Sequence, residues 1–125
     1  FGPFIDMASK GEATMFPWEG TPAYNDPDAL LMAKAHSSSI PKGAGGNIAH
    51  YRNAVVDQLL EQGAAETDEA VRESIYRQSQ TILVNEVYGI FLFQTVNQQP
   101  VRSWVKGYTI PVLGQPDFAP VYLEK

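Results

Sequence analysis

Two neighbouring stretches near the middle of the chain repeat apolar residues at the spacing of an amphipathic helix. The first pattern predicts a helix over residues 54–62, with Asn53 as its N-cap. Gly63 suits the left-handed position that would end this helix. The second pattern predicts a helix that begins at Thr67 or Asp68 and runs to about residue 87. The apolar faces of the pair are formed by Val56, Leu59, Leu60, Val71, Ile75, Ile82 and Leu83.

Apolar residues in direct succession predict a different element after the helix pair. The sequence GIFLFQTV at residues 89–96 is typical of a strand that is buried on both faces. Shorter apolar or alternating stretches predict strands at residues 3–8, 13–18 and 108–113. A helix pair that leads into a central buried strand indicates the α/β class.

A shorter helix is predicted over residues 27–35. Asp26 can cap it by accepting a hydrogen bond from a free backbone N–H, and Pro27 at the first helical position gives up no needed donor. The loop that leads into this helix carries Trp18 and Tyr24 among glycine and proline residues. Such aromatic side chains combine apolar area with a polar atom, which suits a ligand site; the alternative is that both pack on the core.

Composition and charge limit the classes of function. The chain has 125 residues, which is about the size of one domain, and its net charge of −5 argues against a nucleic-acid-binding surface. It has no cysteine, which excludes disulfides, zinc–thiolate sites and thiol nucleophiles. His36 and His50 lack the spacing of metal ligands, and no GxSxG motif marks a serine hydrolase. We therefore expect no metal, no cofactor and no catalytic residue.

The chain starts with FGPFIDMA and not with a methionine, which indicates a piece of a longer protein. A signal peptide is therefore expected outside this fragment. The sequence also contains no run of about 18 apolar residues that could span a membrane.

The order of these features resembles a known family. Trp18 followed by YNDPD at residues 24–28 is similar to the Trp–DPD loop of the extracytoplasmic solute-binding proteins of family 5. The resemblance extends from about residue 6 to residue 118. Further matching residues are Asp6, Met7, Asn47, Tyr51, Asn53, Asp57, Leu59, Leu60, Thr67, Asp68, Arg72, Tyr76, Gln80, Ile82, Leu83, Ile90, Phe91, Leu92, Val101, Arg102, Val105, Lys106, Gly107, Tyr108, Leu113 and Gly114.

The resemblance implies an α/β fold, in which this chain is part of one lobe of a type II periplasmic-binding-protein fold with the helix pair packed on a mixed sheet. Residues 1–125 would form a single domain, the C-terminal part of the solute-binding lobe of a longer parent. The implied function is capture of a small, peptide-like solute in the cleft between two lobes and delivery to the membrane permease of an ABC importer. The implied location is extracytoplasmic, either periplasmic or lipid-anchored.

Within that family reading, Trp18, Tyr24 and Asn25 are predicted to contact the solute, and Asp26 to cap the helix and aim the loop. Peptide-binding members resemble one another in an Asp that pairs with the peptide's free α-amino group, and Ala23 stands at that place here. Capture of a free peptide amine in the usual way is therefore not expected, and the candidate solutes are a glutathione-like or blocked peptide, a sugar and a metal chelate. The alternatives are a receptor lobe for protein-partner signalling or chaperoning, and a hydrolase assembled by folding.

Overall fold

The computed structural model describes residues 2–41, 46–111, 113 and 115–124. The chain divides into two compact units, Phe1–Ile90 and Phe91–Lys125. The first unit contains the helices α1 (Gly2–Ser9), α2 (Pro27–Lys34), α3 (Ala54–Ala65) and α4 (Glu69–Asn85), with a 3-10 turn at Ser37–Ser39. The second unit contains the antiparallel strands β1 (Val105–Lys106) and β2 (Tyr122–Leu123).

The core of the first unit lies between α3 and α4. Val56 and Leu60 of α3 are fully buried, and they pack with Tyr76 and Leu83 of α4 and with Ala35, just after α2. The predicted helix pair is confirmed. Of its predicted apolar positions, Ile82 also packs against this cluster, whereas Val71 is 47% exposed. The pair therefore forms a core on which the preceding loop and α2 can rest.

Gly63 has a different role from the predicted one. It lies inside α3, which continues to Ala65, so the prediction that it ends the helix in a left-handed conformation is wrong. A Cβ atom at this position would lie 2.8 Å from Cζ of Tyr76, which is closer than non-bonded carbon atoms approach each other. Gly63 is needed because the Tyr76 ring packs directly against the α3 backbone.

The helix starts follow the predicted capping residues. The Asn53 side chain accepts hydrogen bonds from the backbone N–H groups of Val55 and Val56, at 2.9 and 3.2 Å. Asp68, rather than Thr67, caps α4 by accepting from the N–H of Val71 at 2.9 Å. These side chains satisfy donors that the first turn of a helix leaves without partners.

Glu86, directly after α4, connects the end of α4 to the start of α3. Its carboxylate accepts from the Tyr51 hydroxyl at 2.6 Å and from the Asn53 amide at 2.8 Å. These hydrogen bonds hold the pKa of Glu86 below its usual value. The residue that caps α3 is thereby held to the last turn of α4.

The segment between α2 and α3 is fixed by a buried amide. Asn47 is fully buried, and its Nδ2 donates to the carbonyl oxygens of Ala35, His36 and Tyr51 at 3.3, 3.2 and 2.9 Å. Its Oδ1 accepts from the N–H of Tyr51 at 3.1 Å. A buried side chain thus satisfies backbone groups that no helix or sheet pairs.

The strands predicted near the start of the chain are not present. Residues 3–8 lie in α1, where Ile5 and Ala8 are buried on one face and Asp6 pairs with Lys10 at 2.7 Å. The burial repeats every three residues, which is the spacing of a helix and not of a strand. Residues 13–18 have no regular secondary structure.

Within the part of the chain that the structure describes, the strand predicted at residues 89–96 is also absent, as is the predicted mixed sheet. Residues 89–96 have no assigned secondary structure, and the side chains of Ile90 and Phe93 are 71% and 81% exposed. Among the described residues the only strand pairing is β1 with β2, which matches Val105 to Leu123 and Lys106 to Tyr122. A strand forms only beside a neighbour that completes its hydrogen bonds, so an apolar run without one stays irregular. Residues 108–111 and 113 are likewise not in a strand, and Val112 lies outside the described residues.

Candidate functional site

The loop that carries the predicted solute-binding residues ends at the N-terminus of α2. Asp26 is the N-cap of α2, with its Oδ1 accepting from the N–H of Asp28 at 3.0 Å, and Pro27 is the first helical residue. The backbone of Asp26 is extended, so the chain turns sharply from loop to helix at this residue. The local sequence Asp-Pro-Asp thus sets the point at which the loop ends and α2 begins.

Arg72 of α4 holds Asp26 from the opposite side. Its Nη1 and Nη2 donate to Oδ2 and Oδ1 of Asp26, each at 2.7 Å, in a two-pronged ion pair. The side chains are 25% and 29% exposed, so the pair is partly shielded from water. The guanidinium holds the pKa of the Asp26 carboxyl far below its usual range. Asp26 is therefore ionised at neutral pH and has little freedom to rotate.

Arg72 also contacts the helix pair. Its Nε donates to the carbonyl oxygen of Gly63 at 2.9 Å, and its guanidinium lies 5.0 Å from the centre of the Tyr76 ring. The carbonyl belongs to the last turn of α3, where free carbonyl groups attract positive charge. One side chain thus connects the start of α2, the end of α3 and the middle of α4.

Trp18 and Tyr24 do not belong to the buried core. The Trp18 ring is 40% exposed and the Lys34 ammonium lies 5.1 Å from its centre. Tyr24 is 53% exposed, and its hydroxyl donates to Oδ2 of Asp28 at 3.0 Å, which raises the pKa of Tyr24. Neither aromatic belongs to the core cluster of the first unit, and both present part of their surface to solvent.

Asn25 and Asp26 border an open depression in the surface. Its volume is about 320 Å³, and its other lining residues are Pro22, Pro27, Leu30, Leu31 and Gln80. A volume of this size is at the lower end of the range for small-molecule sites. The structure brings Asn25 and Asp26 to the depression, whereas Trp18 and Tyr24 are not among its lining residues.

His36, which contacts Ser38 and Glu61, has a structural role. Nδ1 of His36 accepts from the backbone N–H of Ser38 at 3.1 Å and contacts the Ser38 hydroxyl at 2.7 Å. Its Nε2 lies 3.3 Å from Oε1 of Glu61. The N–H of Ser38 binds Nδ1 as the cap of the 3-10 turn, so these contacts have a structural explanation. This geometry gives no support to the hydrolase alternative.

The described residues were compared with the requirements of a metal site and of a membrane-spanning helix. No group of three or more His, Asp and Glu side chains in residues 2–41, 46–111, 113 and 115–124 could hold a metal ion. None of the helices in these ranges is long and apolar enough to cross a membrane.

Comparison with known proteins decides the family. No family model matches the chain. The chain is 32% identical over 111 residues to the probable D,D-dipeptide-binding periplasmic protein of Escherichia coli, a match that covers 88% of this chain and 21% of that protein. It is 30% identical over 106 residues to the periplasmic oligopeptide-binding protein of Escherichia coli, covering 85% of this chain and 18% of that protein. The chain belongs to family 5 of the extracytoplasmic solute-binding proteins.

Other family 5 relatives bind different solutes, according to their names. Heme-binding protein A of Haemophilus influenzae is 32% identical over 113 residues, which cover 89% of this chain and 20% of that protein. The chain therefore spans about a fifth of the length of the curated relatives that it matches. Relatives named for dipeptides, oligopeptides and heme show that membership in family 5 does not identify a solute.

Sequence reasoning missed the part that Arg72 plays at the family 5 loop. The sequence marks Arg72 as a position that resembles the family and gives it no role at the loop. Its partner Asp26 is 46 positions away in the sequence, and helical periodicity does not pair such distant residues. The only local signal is that Arg72 and Tyr76 share one face of α4 at i, i+4 spacing.

Proposed function

We propose that this chain is part of one lobe of a solute-binding protein that captures a small solute in a cleft between two lobes and delivers it to the permease of an ABC importer. The observation that carries this proposal is the Trp18–Asp26 loop. Its aromatic side chains and Asn25 are exposed, while its last residue is anchored by Arg72. An exposed recognition loop on a fixed base suits a site that a second surface completes.

The small depression beside Asn25 agrees with a divided site. At about 320 Å³ and open to solvent, it offers one wall and no enclosure. Ligand sites usually bury most of the surface of their ligand. In our proposal the opposite wall belongs to the other lobe, and closure of the two lobes encloses the solute. Trp18 then covers the solute, while Tyr24 and Asn25 donate or accept hydrogen bonds.

The apolar run at residues 90–96 supports the assignment to a larger lobe. Phe91, Leu92 and Phe93 are between 72% and 81% exposed. Consecutive apolar side chains suit a strand covered on both faces. We therefore propose that all 125 residues belong to the C-terminal part of one lobe, with strands from the rest of the protein pairing on both sides of residues 90–96. The relatives named as periplasmic support an extracytoplasmic location for the whole protein.

The proposed solute lacks a free amine. Ala23 offers no carboxylate to an ammonium group. The carboxylate of Asp28, five residues further on, already accepts the Tyr24 hydroxyl at Oδ2, and its Oδ1 is buried. An ammonium group held in a cleft without a carboxylate loses its hydration with little in return. A blocked peptide, a sugar or a metal chelate fits this loop better.

Thermal shift of the full-length protein that carries this chain tests the function. The panel contains di- and tripeptides with free and with acetylated N-termini, glutathione, oligosaccharides and metal chelates. A solute at 100 times its Kd adds about 2.7 kcal/mol of stability, which raises the melting temperature by several degrees. We expect a shift with at least one solute that lacks a free amine. A shift with free-amine peptides alone would overturn the solute class, and no shift at all would favour a protein partner instead.

Substitution of Trp18 tests the site. Trp18→Ala should weaken binding of the responding solute by roughly tenfold or more without unfolding the protein, because an aromatic ring that covers a ligand contributes largely to affinity. Trp104→Ala is the matched control, since Trp104 has a similar exposure of 44% and lies in the other unit. Equal affinity of the Trp18→Ala and wild-type proteins, measured by calorimetry, contradicts the assignment of Trp18.

A further inference from the structure

We infer that Arg72 is a positioning residue for solute binding, which fixes the Trp18–Asp26 loop to the helix pair through its two-pronged contact with Asp26. The inference rests on the proposed function. The inference goes beyond the proposed function by assigning part of the affinity for the solute to a residue on α4 that need not touch the solute.

The geometry supports a role in orientation. Both guanidinium nitrogens that face Asp26 lie 2.7 Å from its two carboxylate oxygens, so the plane of the carboxylate is fixed as well as its position. The same carboxylate caps α2 through the N–H of Asp28. Asp26 is therefore held by two different elements at the residue where the loop ends.

The remaining contacts of Arg72 hold the guanidinium itself. Nε donates to the carbonyl oxygen of Gly63, Nη2 donates to the Tyr76 hydroxyl at 3.3 Å, and the guanidinium lies 5.0 Å from the centre of the Tyr76 ring. Tyr76 is 3% exposed and belongs to the core cluster. The loop is thus connected to the buried core of the first unit through one side chain. A loop fixed before the solute arrives loses less conformational entropy on binding, which raises affinity.

Three substitutions in the full-length protein separate positioning from stability. Asp26→Asn keeps a good N-cap for α2 and removes the charge that Arg72 binds. Arg72→Lys keeps the charge and removes the planar fork, and Arg72→Met removes both. Arg77→Met is the matched control on the same helix, because Arg77 is 75% exposed and pairs only with Glu73 among the described residues. Val56→Ala controls for lost stability, because Val56 is fully buried in the core.

The readouts are the Kd for the solute found by thermal shift, the melting temperature without solute, and amide hydrogen exchange of residues 19–26. We expect Asp26→Asn and Arg72→Met to weaken binding roughly tenfold and to speed exchange in the loop, with Arg72→Lys intermediate. Val56→Ala should lower the melting temperature and leave the Kd unchanged. Arg77→Met should change neither.

Unchanged Kd in folded Asp26→Asn and Arg72→Lys proteins, with a wild-type protein that binds solute, overturns the role of Arg72 and leaves the proposed function standing. An equal loss of affinity in Val56→Ala also overturns it, because general destabilisation then explains the effect. A wild-type protein that binds no member of the panel overturns the proposed function and this inference with it. If Arg72→Met does not fold, Asp26→Asn and Arg72→Lys still decide between these outcomes.

Discussion

The helix pair and the apolar run at residues 90–93 place similar side chains in opposite surroundings. Val56 and Leu60 of α3 are fully buried, whereas Phe91 and Phe93 are 72% and 81% exposed. The helices complete their backbone hydrogen bonds internally and need only one apolar face covered. A strand depends on neighbours for its hydrogen bonds and on further elements for both faces. Side chains of similar hydrophobicity therefore form a core in the helix pair, whereas those at residues 90–93 would need further polypeptide to cover them.

The largest expected effect tests whether residues 90–93 find that polypeptide in the longer protein. Phe93→Ala should cost about 3–5 kcal/mol of unfolding free energy in the full-length protein, because a buried ring leaves a cavity. In the 125-residue chain the same change should cost less than about 0.5 kcal/mol, as for other exposed positions. Urea unfolding of both pairs of proteins measures the two values. Equal, small costs in both would contradict our assignment of a buried strand.

The buried side of the comparison is tested at Leu60. Leu60→Ala should cost about 2–5 kcal/mol, because Leu60 is fully buried in the core cluster. Leu59→Ala is the matched control on the same helix, since Leu59 is only partly buried. Its cost should be clearly smaller in the same urea titration. A larger cost at Leu59 than at Leu60 would show that the helix pair packs on a different face.

Close contact between the helices is tested at Gly63. Gly63→Ala should cost about 1–3 kcal/mol despite the higher helix propensity of alanine, because the new Cβ overlaps Tyr76. Gly89→Ala adds a methyl group where no heavy atom lies within 4 Å and should change stability little. Thermal melting of both variants makes the comparison. Stabilisation by Gly63→Ala would mean that the Tyr76 ring moves aside freely.

The smallest effect concerns pH and the pair of Asp26 with Arg72. Arg72 lowers the pKa of Asp26 in the folded protein, so its contribution is present above the unfolded pKa of about 4 and is lost as pH falls further. Stability of the wild type should therefore fall more steeply below pH 4 than that of Asp26→Asn, by on the order of 1 kcal/mol for a partly exposed pair. Melting temperatures of both proteins from pH 6 to pH 3 check this. Parallel curves would show that the pair adds nothing to stability.

Local signals in the sequence predicted the helices but not the contacts that join them. Asn53, Asp68 and Asp26 act within a few residues of their own positions, so their caps follow from sequence alone. The pairing of Asp26 with Arg72 depends on how α2 and α4 pack, which no local pattern encodes. The helix at residues 2–9 was missed because Phe4 and Ile5 are adjacent apolar residues, as in a strand. The burial of Ala8 and Ser9, three and four residues after Ile5, shows the helical spacing.

The strand prediction at residues 89–96 was wrong for this chain for a similar reason. The apolar pattern is typical of a strand covered on both faces. The described residues of this chain provide no neighbouring strand for it, and its side chains are exposed. The predicted solute contacts at Trp18, Tyr24 and Asn25 stay predictions. Their exposure is consistent with a recognition surface, but the second wall of a cleft cannot be derived from residues on the first.

The planar fork of Arg72 also limits how the Trp18–Asp26 loop can move. Rotation of the Asp26 carboxylate by a few tens of degrees would break one of its two contacts with the guanidinium. The end of the loop next to α2 is therefore a poor hinge, because Arg72 connects it to both α3 and α4. In the closure of two lobes that we propose, the bending would therefore occur in segments outside the loop and these helices.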